Sequence, residues 1–555
     1  MPGSRSFNIA AHLPAMAEKQ PATAAVHFPY KHDKNKQPLY QTYSYLELDQ
    51  QSNRIAAGLE SIGIFLGVRT VLMVKPSLDF FALTFALFKV GAVPILIDPG
   101  MGVKNLKVCL AEAEPEAFIG IPKAQIARLL LGWGEGSLKI ILTVGSRWFW
   151  GGTTLAKLIK PIAQNHHYET ARTTADETAA ILFTSGSTGV PKGAVYSHGN
   201  FIAQVEALRD IYQITPGEID LPTFPLFALF APALGMTSVI PEMDFTRPGS
   251  VDPEKIIAAI KRFNVTTMFG SPALIRRVGL YGEKHGIQLP SLKRAISAGA
   301  PVPAVVLERF IEMVNPGVQV FTPYGATESL PVCSIGSGTI LQETRFATDQ
   351  GRGVCVGFPV PSIQLEIIRI DDQEISFWLD DLKVAEGEIG EIVVKGPQVT
   401  RSYYHRNEST RLAKIAISGS GDFYHRMGDL GYRDQQGRIW FCGRKAHQVV
   451  TPLETLFTLP CEAIFNTHDK VFRTALVGID TTDGKQPVIC VELEKSLNQQ
   501  EQSLLVAELA TLAQSNDLTK NIHLFLIHPA FPVDIRHNAK IFREKLAVWA
   551  EGKLR

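Results

Sequence analysis

The sequence has few cysteines, and their spacing builds neither a disulfide framework nor a metal site. Six cysteines are spread over 555 residues, and no two of them are spaced as C-x-x-C. Disulfide-stabilised domains are small and rich in cysteine, and structural zinc sites use closely spaced pairs. We therefore expect reduced thiols, as in a cytoplasmic protein.

The sequence also lacks an excess of charge of either sign. Its net charge is +1, and charged residues make up 20% of the chain. Proteins that bind nucleic acid or anionic membrane surfaces through their overall charge are strongly basic. The composition therefore gives no reason to expect nucleic acid or a charged membrane as a partner.

Long hydrophobic runs are missing as well. The longest apolar stretches cover residues 80–88 and 226–240, and the second is interrupted by Pro232. A transmembrane helix needs roughly 20 apolar residues, so both stretches are better interpreted as buried elements. Residues 1–20 contain no apolar core of the signal-peptide type. We predict a soluble protein with no transmembrane segment.

What the sequence does contain is a long alternation of strand-like and helix-like segments. The length requires two or more domains. Strand and helix patterns alternate up to about residue 360, which predicts parallel sheets covered by helices. Short alternating segments then indicate antiparallel structure. We predict an α/β fold, with a large domain over residues 1–443 that ends in a small β-structured region. A small, mobile α+β domain follows over residues 444–555, after a hinge at Gly443-Arg444.

The most informative segment follows the apolar run 179–183, which is typical of a buried strand. It reads Thr184-Ser185-Gly186-Ser187-Thr188-Gly189-Val190-Pro191-Lys192-Gly193. Glycines let backbone N–H groups approach a ligand, and hydroxyls and a lysine add donors for phosphate oxygens. A Walker A loop is excluded, because Pro191 precedes the lysine and Gly193 follows it. We interpret the segment as a phosphate-binding loop.

Four further regions, together with this loop, resemble the adenylate-forming enzymes in the right order along nearly the whole chain. That superfamily contains acyl-CoA ligases, the adenylation domains of peptide synthetases, and luciferases. The four regions are Gly299-Ala300-Pro301, Tyr324-Gly325-Ala326-Thr327-Glu328, the pair Gly428-Asp429 and Gly443-Arg444, and Lys540-Ile541-Phe542-Arg543.

The resemblance implies ATP and Mg²⁺ as cofactors and assigns a role to each matching residue. The phosphates would be held by Thr184, Ser185, Gly186, Ser187, Thr188, Gly189 and Lys192. The adenine would lie against Gly299, Ala300, Pro301 and Tyr324, and the ribose against Asp429 and Arg444. The reacting centre would be served by Thr327 at a phosphate oxygen, Glu328 at Mg²⁺, and Lys540 as the adenylation catalyst.

Two departures from the superfamily concern the acyl acceptor. Ala228 stands where many relatives have an active-site histidine, and residues 443–454 lack the glycine-bearing loop that borders the thiol tunnel in thioester-forming members. Ala446 also replaces the usual hinge aspartate or lysine. These changes weaken the case for coenzyme A as acceptor.

Within the superfamily, residues 227–236, 323–331 and 537–541 are most similar to the olefin β-lactone synthetases of long-chain hydrocarbon biosynthesis. That similarity implies a 2-alkyl-3-hydroxy fatty acid, activated by ATP and closed by its own 3-hydroxyl. Association with other enzymes of hydrocarbon biosynthesis would be compatible with it. His198 is a candidate base for the hydroxyl, although histidines at this position are commonly structural.

Two other functions stay open at this point. A long-chain fatty acyl-CoA or fatty-acyl-AMP ligase would show thiol-dependent turnover. A catalytically silent homologue would bind nucleotide or acyl groups only. The intact Lys192, Thr327, Glu328, Asp429 and Lys540 argue against a silent homologue, since decay would be expected to remove some of them.

Overall fold

The computed structural model describes residues 7–97, 101–183, 191–224, 229–482, 484–534 and 540–554. Its helices, in chain order, are α1 His12–Lys19, α2 Tyr45–Ser61, α3 Leu78–Lys89, α4 Val103–Ala113, α5 Pro122–Leu131, α6 Leu155–Ile159, α7 His198–Tyr212, α8 Phe230–Ala233, α9 Pro253–Phe263, α10 Pro272–His285, α11 Ala304–Ile311, α12 Ser337–Thr339, α13 Arg345–Asp349, α14 Asn407–Ala413, α15 Thr458–Asn466, α16 Gln499–Gln514 and α17 Arg543–Leu554.

The strands are β1 Ala24–His32, β2 Pro38–Ser44, β3 Arg69–Met73, β4 Val93–Leu96, β5 Ala117–Gly120, β6 Ile140–Thr143, β7 Thr153–Thr154, β8 Thr178–Phe183, β9 Gly193–Ser197, β10 Ile219–Pro222, β11 Thr237–Val239, β12 Thr267–Gly270, β13 Arg294–Ser297, β14 Gln319–Phe321, β15 Tyr324–Ala326, β16 Ser329–Ser334, β17 Val354–Pro359, β18 Gln364–Ile368, β19 Gly390–Lys395, β20 Lys414–Ala416, β21 Phe423–Arg433, β22 Ile439–Arg444, β23 Val449–Val450, β24 Thr455–Leu456, β25 Val471–Thr481, β26 Gly484–Leu493 and β27 Leu524–Ile527.

Two parallel-rich sheets form the centre of the molecule. One has the strand order β7-β6-β5-β3-β4-β8-β9, and the other has the order β14-β13-β12-β10-β11-β1-β2. All neighbours are parallel except the pairs β8–β9 and β1–β2. Parallel strands need crossover connections, and helices supply them here, as the alternating pattern predicts. The largest apolar cluster contains residues of both sheets, including Leu72 of β3 and Ile296 of β13.

A third sheet is antiparallel and is formed by strands between residues 324 and 444. Its order is β15-β16-β17-β22-β21-β19-β18, with β20 paired to β21. Asp429 of β21 lies opposite Arg444 of β22 in the strand register. The register therefore brings together two residues that the sequence analysis assigns to the ribose.

The C-terminal segment has its own small sheet, in the order β25-β26-β27, and its own apolar clusters. The helices α15, α16 and α17 each contact this sheet or one another. Arg276 of α10 forms an ion pair with Glu494 of this segment, at an N–O distance of 2.8 Å. The expected fold class, parallel-rich sheets followed by β-structure and a small α+β region, is confirmed.

Local sequence explains how the helix nearest the site begins. Ser197 caps α7 by accepting a hydrogen bond from the Asn200 backbone N–H, and the Asn200 side chain accepts from the Ser197 backbone. This reciprocal cap satisfies two donors at the helix start.

Within the described ranges, no helix is long and apolar enough to cross a membrane.

Candidate active site

One cavity of about 1330 Å³ brings together residues of the two parallel sheets, the third sheet and the C-terminal segment. Its charged part, here called the polar head, comprises Lys192, Thr327, Glu328, Asp429, Arg444 and Lys540. Its apolar part along α7, here called the apolar arm, comprises Phe201, Val205, Leu208, Phe269 and Ile296. All of these residues except Asp429 line the cavity directly. Asp429 is buried against Arg444.

Asp429 is held in place from two sides. The Tyr324 hydroxyl donates a hydrogen bond of 2.7 Å to its Oδ2, and Arg444 Nε lies 3.1 Å from its Oδ1. Burial raises the pKa of this carboxyl, while Arg444 and Tyr324 act in the opposite direction. Oδ1 is buried and has no aligned hydrogen bond from the described residues. A buried carboxylate with an unused acceptor suits a ligand that donates hydroxyl groups, such as a ribose.

Tyr324 itself is half-buried, and its ring centre lies 5.6 Å from that of Phe441. Its neighbours Pro323 and Gly325 line the cavity, whereas Tyr324 does not. Gly299, at a φ of +100°, lines the cavity together with Ala298, whereas Ala300 and Pro301 do not. The structure thus brings only part of the predicted adenine surface into the cavity wall, and the adenine contacts stay a prediction.

Thr327 and Glu328 form a turn that other residues support. The Tyr403 hydroxyl donates a hydrogen bond of 2.7 Å to Glu328 Oε1, and the Thr400 backbone N–H donates one of 2.8 Å to the Glu328 carbonyl. The Tyr196 hydroxyl donates a hydrogen bond to the Thr327 carbonyl. These contacts hold the turn in place, and the side chains of Thr327 and Glu328 line the cavity.

Two lysines lie near this turn. Lys192 Nζ is 5.1 Å from the centre of the Tyr403 ring and lines the cavity. Lys414 donates a hydrogen bond from Nζ to the Thr400 carbonyl. Burial lowers the pKa of Lys414 to about 7, and the charge of Glu328 counteracts that shift. The turn therefore lies among cations as well as hydroxyl donors.

Lys540 reaches the polar head from the C-terminal segment. Its backbone carbonyl accepts a hydrogen bond of 2.9 Å from the Asp534 N–H, and a bridge between Val533 and Ile541 supports the same loop. Burial, and then Arg444, lower the pKa of the ammonium, while Asp534, Asp429 and Glu328 raise it. The structure thus places Lys540 within electrostatic range of three other predicted site residues.

Part of the prediction lies outside the described residues. This applies to Thr184, Ser185, Gly186, Ser187, Thr188 and Gly189 of the phosphate loop and to Ala228. The elements flanking the loop are described: β8 ends at Phe183 and pairs antiparallel with β9, which begins at Gly193. The buried strand expected before the loop is therefore confirmed.

His198 is not part of the polar head. It is 1% exposed, and its Nδ1 accepts a hydrogen bond of 3.2 Å from the Ile9 backbone N–H. Its ring packs edge-on against Phe88, and burial lowers its pKa to about 4. It does not line the cavity. Its position favours the structural alternative over the role of base for the hydroxyl.

Sequence reasoning missed the residues that support the turn, namely Tyr196, Tyr403 and Lys414. Each is more than 70 residues from Glu328 in the sequence, and only the fold brings them together. A tyrosine in an ordinary loop carries no signal of its own. The only available signal was the position of Tyr196 in the strand directly after the phosphate loop.

Comparisons with known proteins show the family of this chain. The AMP-binding enzyme family matches residues 13–404. The chain is 51% identical over 547 residues to an olefin β-lactone synthetase of Xanthomonas campestris pv. campestris, covering 98% of this chain and 97% of that protein. It is 49% identical over 556 residues to an olefin β-lactone synthetase of Stenotrophomonas maltophilia, covering 99% of both.

The fold is also shared with a solved structure of low sequence identity. An anthranilate CoA ligase in complex with anthranoyl-AMP superposes with a TM-score of 0.80 at 18% identity, covering 100% of this chain and 99% of that one. This likeness concerns the fold alone. From its motifs, its architecture and its near full-length identity to two relatives, the chain belongs to the AMP-binding enzymes and, among them, to the olefin β-lactone synthetases.

Proposed function

We propose that this enzyme uses ATP to activate a 2-alkyl-3-hydroxy fatty acid and closes it to a β-lactone. The observation that carries the proposal is a polar head with Lys540, Arg444, Glu328 and Asp429 at one cavity that also has an apolar arm. Such a cavity can hold the nucleotide and the acyl chain at the same time. The near full-length identity to olefin β-lactone synthetases supports the same chemistry.

In the first step, a carboxylate oxygen of the acid attacks the α-phosphorus of ATP. A new P–O bond forms, the bond to the β-phosphate breaks, and pyrophosphate leaves with the electron pair. Negative charge builds up around the α-phosphate as this happens, and the ammonium of Lys540 would stabilise it. Asp429 would accept hydrogen bonds from the ribose, and Arg444 would orient Asp429.

Glu328 fits the role of a magnesium ligand. Mg²⁺ is commonly bound by one or two carboxylates together with substrate phosphates, and Glu328 lines the cavity next to Thr327. Its Oε1 is occupied by Tyr403, which orients the carboxylate and leaves Oε2 for a cation. When bound, the ion would neutralise phosphate charge. Among the described residues, no group of three or more His, Cys, Asp or Glu side chains could hold a metal ion.

In the second step, the 3-hydroxyl oxygen attacks the acyl carbon of the adenylate. A C–O bond closes the four-membered ring, the bond to AMP breaks with its electron pair, and the hydroxyl proton is released. Because nucleophile and electrophile belong to one molecule, holding the chains in a single conformation replaces a second binding step. A dry cavity would also protect the adenylate from hydrolysis.

The remaining parts of the proposal concern organisation. Residues 1–443 would act as one domain and residues 444–555 as a small mobile domain that carries Lys540. The enzyme would work in the cytoplasm and would associate with other enzymes of hydrocarbon biosynthesis. The Arg276–Glu494 ion pair would hold the two domains in the orientation seen here.

The test is to incubate the protein with Mg·ATP and a synthetic 2-alkyl-3-hydroxy fatty acid, with and without coenzyme A. We expect AMP, pyrophosphate and a β-lactone, identified by NMR, in equal yield under both conditions. The matched control is the same acid without its 3-hydroxyl, which is expected to stop at the adenylate. A thioester that forms only with coenzyme A would identify an acyl-CoA ligase instead. Binding without any pyrophosphate release would identify a silent homologue.

A further inference from the structure

The loop between β6 and β7 presents aromatic side chains to solvent. Trp148 is 58% exposed and Phe149 is 77% exposed. Each of their rings lies 5.5 Å, centre to centre, from the ring of Trp150, which is buried. These three residues are here called the aromatic tip. Adjacent large apolar side chains that remain in water are typical of an interaction surface.

The aromatic tip has a defined shape. Trp150 Nε1 donates a hydrogen bond of 2.9 Å to Thr143 Oγ1 on β6, and the Arg147 guanidinium donates one of 2.5 Å to the Gly152 carbonyl. Gly152 has a φ of +69°, and a Cβ at this position would lie only 2.1 Å from the Ile141 carbonyl oxygen. The loop therefore needs glycine there, and its own contacts keep the two outer rings in solvent.

The aromatic tip lies at the edge of the first parallel sheet that also borders the cavity. Gly120 of β5 is in register with Thr143 of β6, and both strands end there. Parallel strands end at the same edge of a sheet, so the loops that follow them are neighbours. Ile121 follows β5 and lines the cavity. In the loop after β6, a Cβ on Gly145 would lie 3.6 Å from the Pro122 side chain.

The charge around the tip is positive. Residues 136–168 include four lysines and arginines and neither aspartate nor glutamate. Arg147 is exposed within the loop, and Lys157 is exposed on α6, which follows β7 at the same edge. Lys139 lies at the other end of β6 and pairs with Glu116. The net charge of the whole chain, +1, therefore conceals a local excess of basic side chains beside the exposed rings.

We propose that the aromatic tip docks the enzyme on the surface of a lipid bilayer. Trp148 and Phe149 enter the headgroup region, and Arg147 and Lys157 face anionic headgroups. The inference rests on the proposed function in one respect: an acid with two long alkyl chains is held by membranes rather than by water. A bilayer is therefore favoured over a protein partner, because docking would bring the source of the substrate to the edge where Ile121 lines the cavity.

The first experiment measures binding of the full-length protein to vesicles by flotation. Vesicles of phosphatidylcholine are compared with vesicles that also contain phosphatidylglycerol. We expect binding to both kinds and tighter binding to the anionic kind. The double variant Trp148→Ala, Phe149→Ala should lower the partition coefficient on both by about tenfold, because the apolar area that enters the interface is lost. Lys157→Gln should lower it by about fivefold on the anionic vesicles only.

Phe346→Ala is the matched control, since it removes a ring that is 63% exposed on α13. It should bind vesicles as the wild type does. Trp148→Phe keeps a ring in the tip and should retain most of the binding, and the single variant Phe149→Ala decides the question if the double variant does not fold. Wild-type protein that stays unbound, or equal binding by the tip variants, would overturn the proposal. A dimer that depends on the tip, without vesicle binding, would assign the surface to a second copy of the chain.

The second experiment measures kcat/KM for pyrophosphate release. With a short-chain acid in solution, the double variant should match the wild type. With a long-chain acid carried in vesicles, its kcat/KM should fall by about tenfold, since less enzyme is bound to the membrane. An equal rate for both proteins on vesicle-borne acid would contradict a role of the tip in substrate uptake.

These measurements separate the inference from the proposed function. Vesicle binding requires neither ATP nor turnover, and the product is identified in parallel by NMR. A vesicle-bound enzyme that makes a thioester would refute β-lactone formation and leave the docking site intact. A β-lactone made by a protein that does not bind vesicles would do the reverse.

Discussion

The polar head and the apolar arm of the cavity are assembled in different ways. The head collects single residues from distant parts of the chain, from Lys192 to Lys540, and contacts from Tyr403 and Tyr324 position them. The arm is made of apolar side chains from α7 and from one face of a sheet. We propose a specific chemical task for each residue of the head, whereas a residue of the arm contributes shape and apolar surface. Substitutions in the two regions should therefore fail in different ways.

The largest effect is expected at the head, for Lys540→Ala. Loss of this ammonium at the cavity should lower the rate of adenylate formation by about 10²–10³-fold, since the charge that develops at the α-phosphate is no longer stabilised. Nucleotide affinity should change little. Single-turnover pyrophosphate release and ATP binding by calorimetry measure the two separately. Near wild-type release would mean that another group is the catalyst.

A smaller effect is expected for Glu328→Gln, which keeps the size of the side chain and removes its charge. The concentration of Mg²⁺ needed for half-maximal rate should rise by about tenfold, since a carboxylate ligand to the ion is lost. Tyr403→Phe is the matched control, because it removes only the hydrogen bond that orients the carboxylate. It should give a shift in the same direction but a lesser one. Identical Mg²⁺ dependence in all three proteins would exclude a metal role for Glu328.

The arm should respond to Val205→Trp with a loss that depends on chain length. The buried valine lines the arm, and a larger ring would occupy the space of the alkyl chain. We expect KM for long-chain acids to rise about tenfold, with short-chain acids and ATP much less affected. Val205→Leu tests whether a modest increase in volume gives an intermediate result. An equal loss for short and long acids would indicate general damage to the fold.

The pH dependence offers a milder test of the head. Burial and Arg444 lower the pKa of Lys540, so the ammonium loses its proton at a pH below the usual range for lysine. The adenylation rate should therefore fall as the pH rises through that lowered value. In Lys540→Arg the guanidinium stays charged, so the fall should move to higher pH even if the rate is reduced. Pyrophosphate release from pH 7 to 10 checks both proteins, and superimposable profiles would contradict the assignment.

The smallest catalytic effect is expected for His198→Asn. His198 is buried, accepts a hydrogen bond from Ile9 and does not line the cavity. Loss of that contact should reduce the free energy of unfolding by about 1 kcal/mol, with little change in kcat. Thermal unfolding and lactone formation test the two quantities. A large fall in kcat in a stably folded variant would restore His198 as a base.

These contrasts also explain how far sequence reasoning reached. The head was predicted because motifs such as Tyr324-Gly325-Ala326-Thr327-Glu328 resemble those of the adenylate-forming enzymes in type and order. The arm was not resolved, because a buried valine on α7 has the same sequence pattern whether it lines a cavity or packs in a core. The apolar stretch 226–240 was predicted as a buried element, and within it Phe230 and Leu234 line the cavity.

The sequence alone determined the class of fold and the superfamily, and it predicted residues for the nucleotide chemistry, because periodicity and motifs at fixed spacing are local features of the chain. Tertiary structure decided which of these residues share one cavity, which of them other side chains hold in place, and which, like His198, lie elsewhere. It also placed Asp429 opposite Arg444 across two strands. Strand register and the path of the chain bring such residues together, and neither is written in any local pattern.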